Sequence, residues 1–161
     1  MTREQFIENV TREQEGLRRF LLVLCGGDKS LSDDIAQNAL VKAYIASGDF
    51  VPRVKFSTWL YKIAYNCFID NVRKKSVQTV RDDSTEASKI ADPSLTDSRF
   101  EHQALYAAID RLQPNERAVI LLFYMEDRPV KEIASILNIP DGTVKSHLSR
   151  GREHLKLLLK R

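Results

Sequence analysis

Apolar residues recur along this chain at spacings of three and four, and nowhere alternate long enough to suggest a strand. Phe6, Val10, Leu17, Phe20, Leu21 and Leu24 share one helical stripe, and the pair Gly26-Gly27 is expected to end it. Ser30-Leu31-Ser32-Asp33-Asp34 then offers an N-cap with acids in the first turn, where the helix dipole favours them. Ile35, Ala39, Leu40 and Ala43 carry the apolar face on, and Gly48 is its stop. After a loop centred on Pro52, Ser57 or Thr58 is the expected cap of a third helix. Its buried stripe is Leu60, Ile63, Ala64, Cys67 and Phe68. Trp59, Lys62, Asn66, Asp70 and Arg73 fall on another of its faces, and it runs out in Arg73-Lys74-Lys75.

Residues 76–99 lose the period. They are rich in Ser, Thr and Asp, contain Pro93, and read as an acidic, flexible linker. Helical pattern returns at about Phe100, with Leu105, Ala108, Ile109 and Leu112 on one face. Pro114 opens the next helix, where its missing N–H costs nothing, and Val119, Ile120, Leu122 and Phe123 are its apolar content. Pro129 begins a short helix with Ile133, Ala134 and Leu137 inward, and a last one starts at about Asp141. The expected architecture is all-α: two small helical domains joined by a linker, the second ending in a helix-turn-helix.

Composition narrows the class. With 43% hydrophobic and 29% charged residues, the 161-residue chain fits a soluble globular protein. No apolar run approaches the roughly 20 residues that span a bilayer, and the N-terminus lacks the apolar core of a signal peptide, so a cytoplasmic location is expected. Cys25 and Cys67 sit in apolar helical stretches and read as buried thiols; neither belongs to a C-x-x-C pair. The net charge of +3 conceals its distribution. Residues 53–75 and 142–161 each carry an excess of five positive charges, while residues 82–97 carry an excess of four negative ones. Two basic segments separated by an acidic one suit two contacts with a polyanion.

The sharpest motif runs from Pro129 to Arg152. Two helices that cross closely need a small residue at the crossing, and Ala134 supplies it. The turn four residues later favours a residue that tolerates the left-handed conformation, and Asn138 does. Val144 and Leu148, four apart, pin the second helix from behind. Thr143, Lys145, Ser146, Ser149 and Arg150 are left facing outward, with Arg152 close behind. Short donors and long cations of this kind reach base edges and phosphates in the major groove. Glu132 and Glu153 would repel phosphate and receive no DNA role.

Taken together, Leu112-Gln113-Pro114-Asn115-Glu116-Arg117, Glu132-Ile133-Ala134 and the run from Asp141 to Arg152 closely resemble the promoter-binding module of extracytoplasmic-function (ECF) sigma factors. The first half resembles the same family. Asp34-Ile35-Ala36-Gln37 through Lys42-Ala43-Tyr44 is similar to its polymerase-binding helix. The run from Phe56 to Asn66, with Asp70 and Arg73, is similar to its promoter-opening helix. The resemblance implies a polymerase-binding and promoter-opening module over 1–75, a linker over 76–99 and an upstream-element reader over 100–161. Asp33, Asp34, Gln37, Asn38 and Lys42 would then contact core RNA polymerase. Arg53, Lys55, Phe56, Trp59, Lys62, Asn66 and Arg73 would hold the downstream element. Thr143, Lys145, Ser146, Ser149, Arg150 and Arg152 would read the upstream one. Capturing bases out of the stack needs an aromatic surface and nearby cations, and Phe56, Trp59, Tyr61, Arg53 and Lys62 provide those residue types. Trp59 alone, beside an apolar stripe, reads as core or rim packing. An anti-sigma partner is also implied. Asn38, Leu40, His147 and the loop Val51–Lys55 depart from the family pattern, which bears on the exact promoter sequence.

Two other classes fit the pattern less well. A helix-turn-helix regulator would carry an N-terminal sensor domain, but residues 1–75 show neither a strand pattern nor a phosphoacceptor. An enzyme would need a reaction centre. Of the three histidines, His147 and His154 are seven apart without an acid to complete a metal site, and no phosphate-cradling glycine loop or nucleophile elbow occurs. No catalytic role, metal or cofactor is expected.

Overall fold

The computed structural model describes the backbone of residues 1–81 and 100–160, and the side chains of residues 1–77 and 102–160. Every regular element among them is helical. The first module comprises α1 (Arg3–Leu24), α2 (Lys29–Ala46) and α3 (Phe56–Arg81), with a single 3-10 turn at Ser47–Asp49 before the loop that leads into α3. The second comprises α4 (Phe100–Asp110), α5 (Pro114–Ile120), α6 (Val130–Leu137) and α7 (Asp141–Leu159). A π-helical turn over Leu121–Met125 extends α5.

Local chemistry sets the boundaries. Thr2 and Gln5 form a reciprocal capping box at the start of α1. That helix ends as expected at Gly26 and Gly27, both at positive φ, with the Gly27 amide closing onto the Leu22 carbonyl at 2.8 Å. The cap of α2 is Asp28, not a residue of the Ser30–Asp34 run: its carboxylate accepts from the Leu31 amide at 3.1 Å. Asp28 already has the extended backbone that an N-cap requires, so the helix starts earlier than the serines suggest. Likewise α3 begins at Phe56, and Ser57 and Thr58 are buried within it. At its far end α3 passes through the basic run and continues to Arg81. Nothing from Ser76 to Arg81 breaks a helix, and cations near a C-terminus are favoured by the dipole. The first residues assigned to the linker are therefore helical, and 82–99 lie outside the described residues.

Leu17, Phe20, Leu21 and Leu24 of α1, Ile35, Ala36, Ala39 and Ala43 of α2, and Leu60 and Ala64 of α3 fill the first core. The alanines let the α2 backbone approach its neighbours closely. In the second module Leu112, Val119, Ile120, Leu122, Ile133, Ile136, Val144 and Leu148 are buried. These two cores are continuous. Helix α6 packs along α3, and the π-turn sits against α1. One buried cation fastens the seam. Arg117 donates to the carbonyls of Ile109 (3.3 Å), Asp110 (2.9 Å) and Leu112 (3.0 Å) in its own module and of Leu24 (2.7 Å) in the other.

Replacing Arg117 by Met leaves four carbonyls without this donor. Urea titration of Arg117→Met is expected to show a loss of about 2–4 kcal/mol. Arg117→Lys should recover only part, because an ammonium cannot reproduce the guanidinium fork. Both cysteines are free and buried. Burial first, then Asp28, pushes the Cys25 thiol up to about 12 against the opposing pull of Lys75 and Arg117; burial also raises Cys67. At neutral pH the native protein should therefore react slowly with a thiol reagent at both positions. In denaturant both should react at the rate of free cysteine.

Candidate nucleic-acid interface

Helix α7 is aimed by what lies behind it. Asn138 takes the left-handed conformation (φ 57°, ψ 50°), and the Ile139 amide bonds to the Ala134 carbonyl at 3.0 Å, closing the turn. Val144 and Leu148 are buried against the rest of the module, and Ala134 at the crossing is buried too. Further along, a Cβ at Gly151 would stand 2.9 Å from Ile120 Cγ1; glycine there lets α7 lie directly on α5. Glu116, buried at the start of α5, meets His154 Nδ1 at 2.9 Å and ties down the last turns of α7.

The opposite face is open. Lys145, Ser146, Arg150 and Arg152 are exposed, as is Ser149, and Thr143 is half-buried. Among the described residues neither Lys145 nor Arg150 forms an ion pair. Ser146 donates its hydroxyl to the Gly142 carbonyl at 3.1 Å. Arg152 is held: its Nε donates to the Tyr124 hydroxyl at 2.6 Å, and its guanidinium lies over the rings of Phe123 and Tyr124 at 5.9 and 5.6 Å. The exposed side chains thus form one polar face, with two free cations and one that is preorganised.

Residues expected at the downstream element form a second, less uniform group. Arg53 and Lys55 are exposed on the loop, while Asn66 and Arg73 are exposed on α3 and Lys62 is half-buried there. The aromatics are packed together. Phe50 lies 5.0 Å from Trp59 and 6.0 Å from Phe56, and Phe56 touches Phe6 edge-on at 5.9 Å. Phe56 is buried and Trp59 sits at the rim of this cluster. Tyr61, expected as part of an open stacking surface, is only 1% exposed. Its ring stacks on Phe20, its hydroxyl donates to Glu126, and Arg128 lies over the ring at 4.6 Å. Tyr61 is covered because α3 has neighbours on both sides. Burial and Glu126 raise its phenol above the ordinary range.

On α2, Asp34, Asn38 and Lys42 line a groove of about 240 Å³ shared with Cys67, Asp70 and Lys74 of α3. Gln37 is exposed nearby, whereas Asp33 is turned to Arg18 of α1 at 3.5 Å. Sequence reading missed the exposed apolar row Val41, Tyr44 and Ile45 on the same helix. Its only signal was apolar residues lying beyond the stripe set by Ile35, Ala39 and Ala43. It also missed Glu132, half-buried and 2.6 Å from Lys55 Nζ. Burial opposes ionisation there, but Lys55 and Arg128 outweigh it and hold the carboxyl below its usual range. Among the described residues no cluster of metal-binding side chains occurs, and no helix is long and apolar enough to cross a membrane.

Two family models match the chain: Sigma-70 region 2 over residues 10–77 and Sigma-70 region 4 over residues 102–155. The chain is 36% identical to the ECF RNA polymerase sigma factor SigW of Bacillus subtilis over 146 residues, covering 83% of this chain and 78% of that protein. It is 34% identical to SigM of the same organism, covering 89% and 88%. Among solved structures, the sigma factor RpoE in complex with the anti-sigma factor NepR, from Bartonella quintana, shares the fold with a TM-score of 0.86. It is 24% identical, with 97% of each chain covered. CnrH in complex with the cytosolic domain of CnrY has a TM-score of 0.73 and 22% identity, covering 98% and 89%. A match to region 2 across the first module leaves no place there for the sensor domain of an ordinary regulator. A groove-and-apolar helix in front, an exposed cationic helix behind and these two regions in this order make the chain a member of the extracytoplasmic-function family of RNA polymerase sigma factors, which direct polymerase to promoters.

Proposed function

We propose that α7 reads the upstream promoter element through Lys145, Ser146, Ser149 and Arg150, with Thr143 and Arg152 at the margins. The observation that carries this reading is the pairing of an exposed, uncompensated cationic face with a buried apolar one on a single helix. Lys145 and Arg150 need give up no partner to meet DNA. Arg152, stacked on Tyr124, would enter the complex with little loss of side-chain freedom. Loop Phe50–Lys55, with Trp59, Lys62, Asn66 and Arg73, would hold the downstream element. In this role Phe56 supports Trp59 from beneath and does not itself stack on a base. Asp34, Gln37, Asn38 and Lys42, with the apolar row beside them, would dock on core polymerase, and Asp33 would brace α2 through Arg18. Residues 1–75 and 100–161 are the working modules, and 76–99 the acidic connection between them. The factor acts in the cytoplasm as a binding protein without chemistry of its own. Solved relatives held by anti-sigma factors support a partner of that kind here as well.

Lys145→Ala and Arg150→Ala should each weaken promoter binding by holoenzyme in a gel-shift titration. A base contact would cost about 1–3 kcal/mol and change sequence preference, whereas a phosphate contact would weaken all sequences alike. Unchanged binding by both variants would remove the recognition role of α7. Asp34→Lys and Gln37→Ala should weaken assembly with core polymerase, read by fluorescence anisotropy, and leave the free factor's binding to duplex DNA unaltered. Normal assembly by both would dismiss the docking role of α2.

A further inference from the structure

We infer that Glu126, Arg128 and Glu132 form an ionic latch that closes the second module over the first and competes with downstream-element DNA for Lys55; the competition rests on the role proposed above for the loop Phe50–Lys55. The three residues lie within seven positions of each other, from the end of the π-turn to the first turn of α6, and each engages the first module. Glu126, its side chain 4% exposed, takes the Arg19 guanidinium through both carboxylate oxygens at 3.0 and 3.1 Å and accepts the Tyr61 hydroxyl at 3.1 Å. Arg128 donates to Ser57 Oγ at 2.7 Å, lies over the Tyr61 ring and stands 3.8 Å from Glu13. Glu132 meets Lys55 Nζ at 2.6 Å and braces Arg128 at 3.5 Å. Acid, base and acid on one side meet base, acid and base on the other, so this register satisfies all three.

A second observation is independent of charge. Gly16 lies within the 22-residue helix α1, where glycine costs about 1 kcal/mol relative to alanine. A Cβ there would stand 2.8 Å from the Tyr61 hydroxyl and 2.9 Å from Glu126 Oε1, the two partners of the latch. Glycine here leaves room beside α1 for the Tyr61 hydroxyl of the first module and the Glu126 carboxylate of the second, which bond to each other.

The consequence for DNA is direct. Lys55 cannot neutralise a phosphate while its ammonium is bonded to Glu132, and Glu132 itself repels a nearby strand. Face Lys145–Arg150 stays open in the closed form, so closure gates only the downstream grip. Partly buried ion pairs add specificity to the apolar contact between the two cores. If ten closed molecules stand for each open one, apparent affinity at the covered site falls about tenfold.

The full-length free factor tests this, by small-angle scattering and by anisotropy with a labelled single strand of mixed sequence, about 20 nucleotides long. Arg19→Glu and, separately, Glu126→Arg should enlarge the radius of gyration while circular dichroism keeps the helix content. The exchange Arg19→Glu with Glu126→Arg should restore compactness. Both opened variants should bind the single strand about tenfold more tightly. Unchanged radii in both variants, with helix content intact, would overturn the latch. Opening without tighter binding would overturn the competition for Lys55. Lys55→Ala separates this from the loop's role: if Lys55 and Lys55→Ala forms bind the strand equally in the opened background, the downstream reading fails while the scattering result still decides closure.

Discussion

Helix α3 is buried from two sides, and the rest of the molecule is arranged around that constraint. Leu60 and Ala64 face the other helices of the first module. Tyr61 and Tyr65 put their rings into the same packed layer and send their hydroxyls across the seam to Glu126 and Asn115. A tyrosine suits such a position because its body is apolar and its tip is polar. The second module does not rest on a greasy surface alone. It is bonded to a row of hydroxyls, cations and carboxylates that water could satisfy equally well if the modules parted. Such a seam can hold one arrangement without making it permanent.

Most of the architecture was legible in the sequence because local periodicity determines it. The stripe through Leu17, Phe20, Leu21 and Leu24, the glycine pair after it, Pro114 at a helix start and Asn138 at the turn each state a local rule that the fold obeys. Errors arose where two local signals competed. Asp28 outcompeted Ser30 as a cap because the backbone at Asp28 already had the extended geometry. The basic run at Arg73–Lys75 read as an end, although cations are welcome in a helix's last turns.

The site was legible in part for the same reason. The outward face of α7 follows from the inward positions of Val144 and Leu148 and needs no partner to define it. Tyr61 was misread because its environment is set by residues 65 positions away, and no spacing on α3 distinguishes a rim aromatic from one roofed by another module. Glu132 carried the same ambiguity: a half-buried acid paired across the seam looks, in sequence, like a solvated one. Long-range ion pairs leave no period to detect.

The π-helical turn at Leu121–Met125 gives this segment a length as well as a composition. The Glu126 amide closes onto the Leu121 carbonyl at 3.0 Å, five residues back, and Asp127 then reverses the chain at φ 55°. That widened turn is the form a one-residue insertion takes when a helix absorbs it instead of looping it out. Removing one residue would return the turn to ordinary α geometry and rotate α6 and α7 by about 100°. The helix-turn-helix would remain intact but be swung to a new bearing. Counting residues between Pro114 and Pro129 is thus a way to recognise which related chains can adopt the same stance, whatever their side chains there.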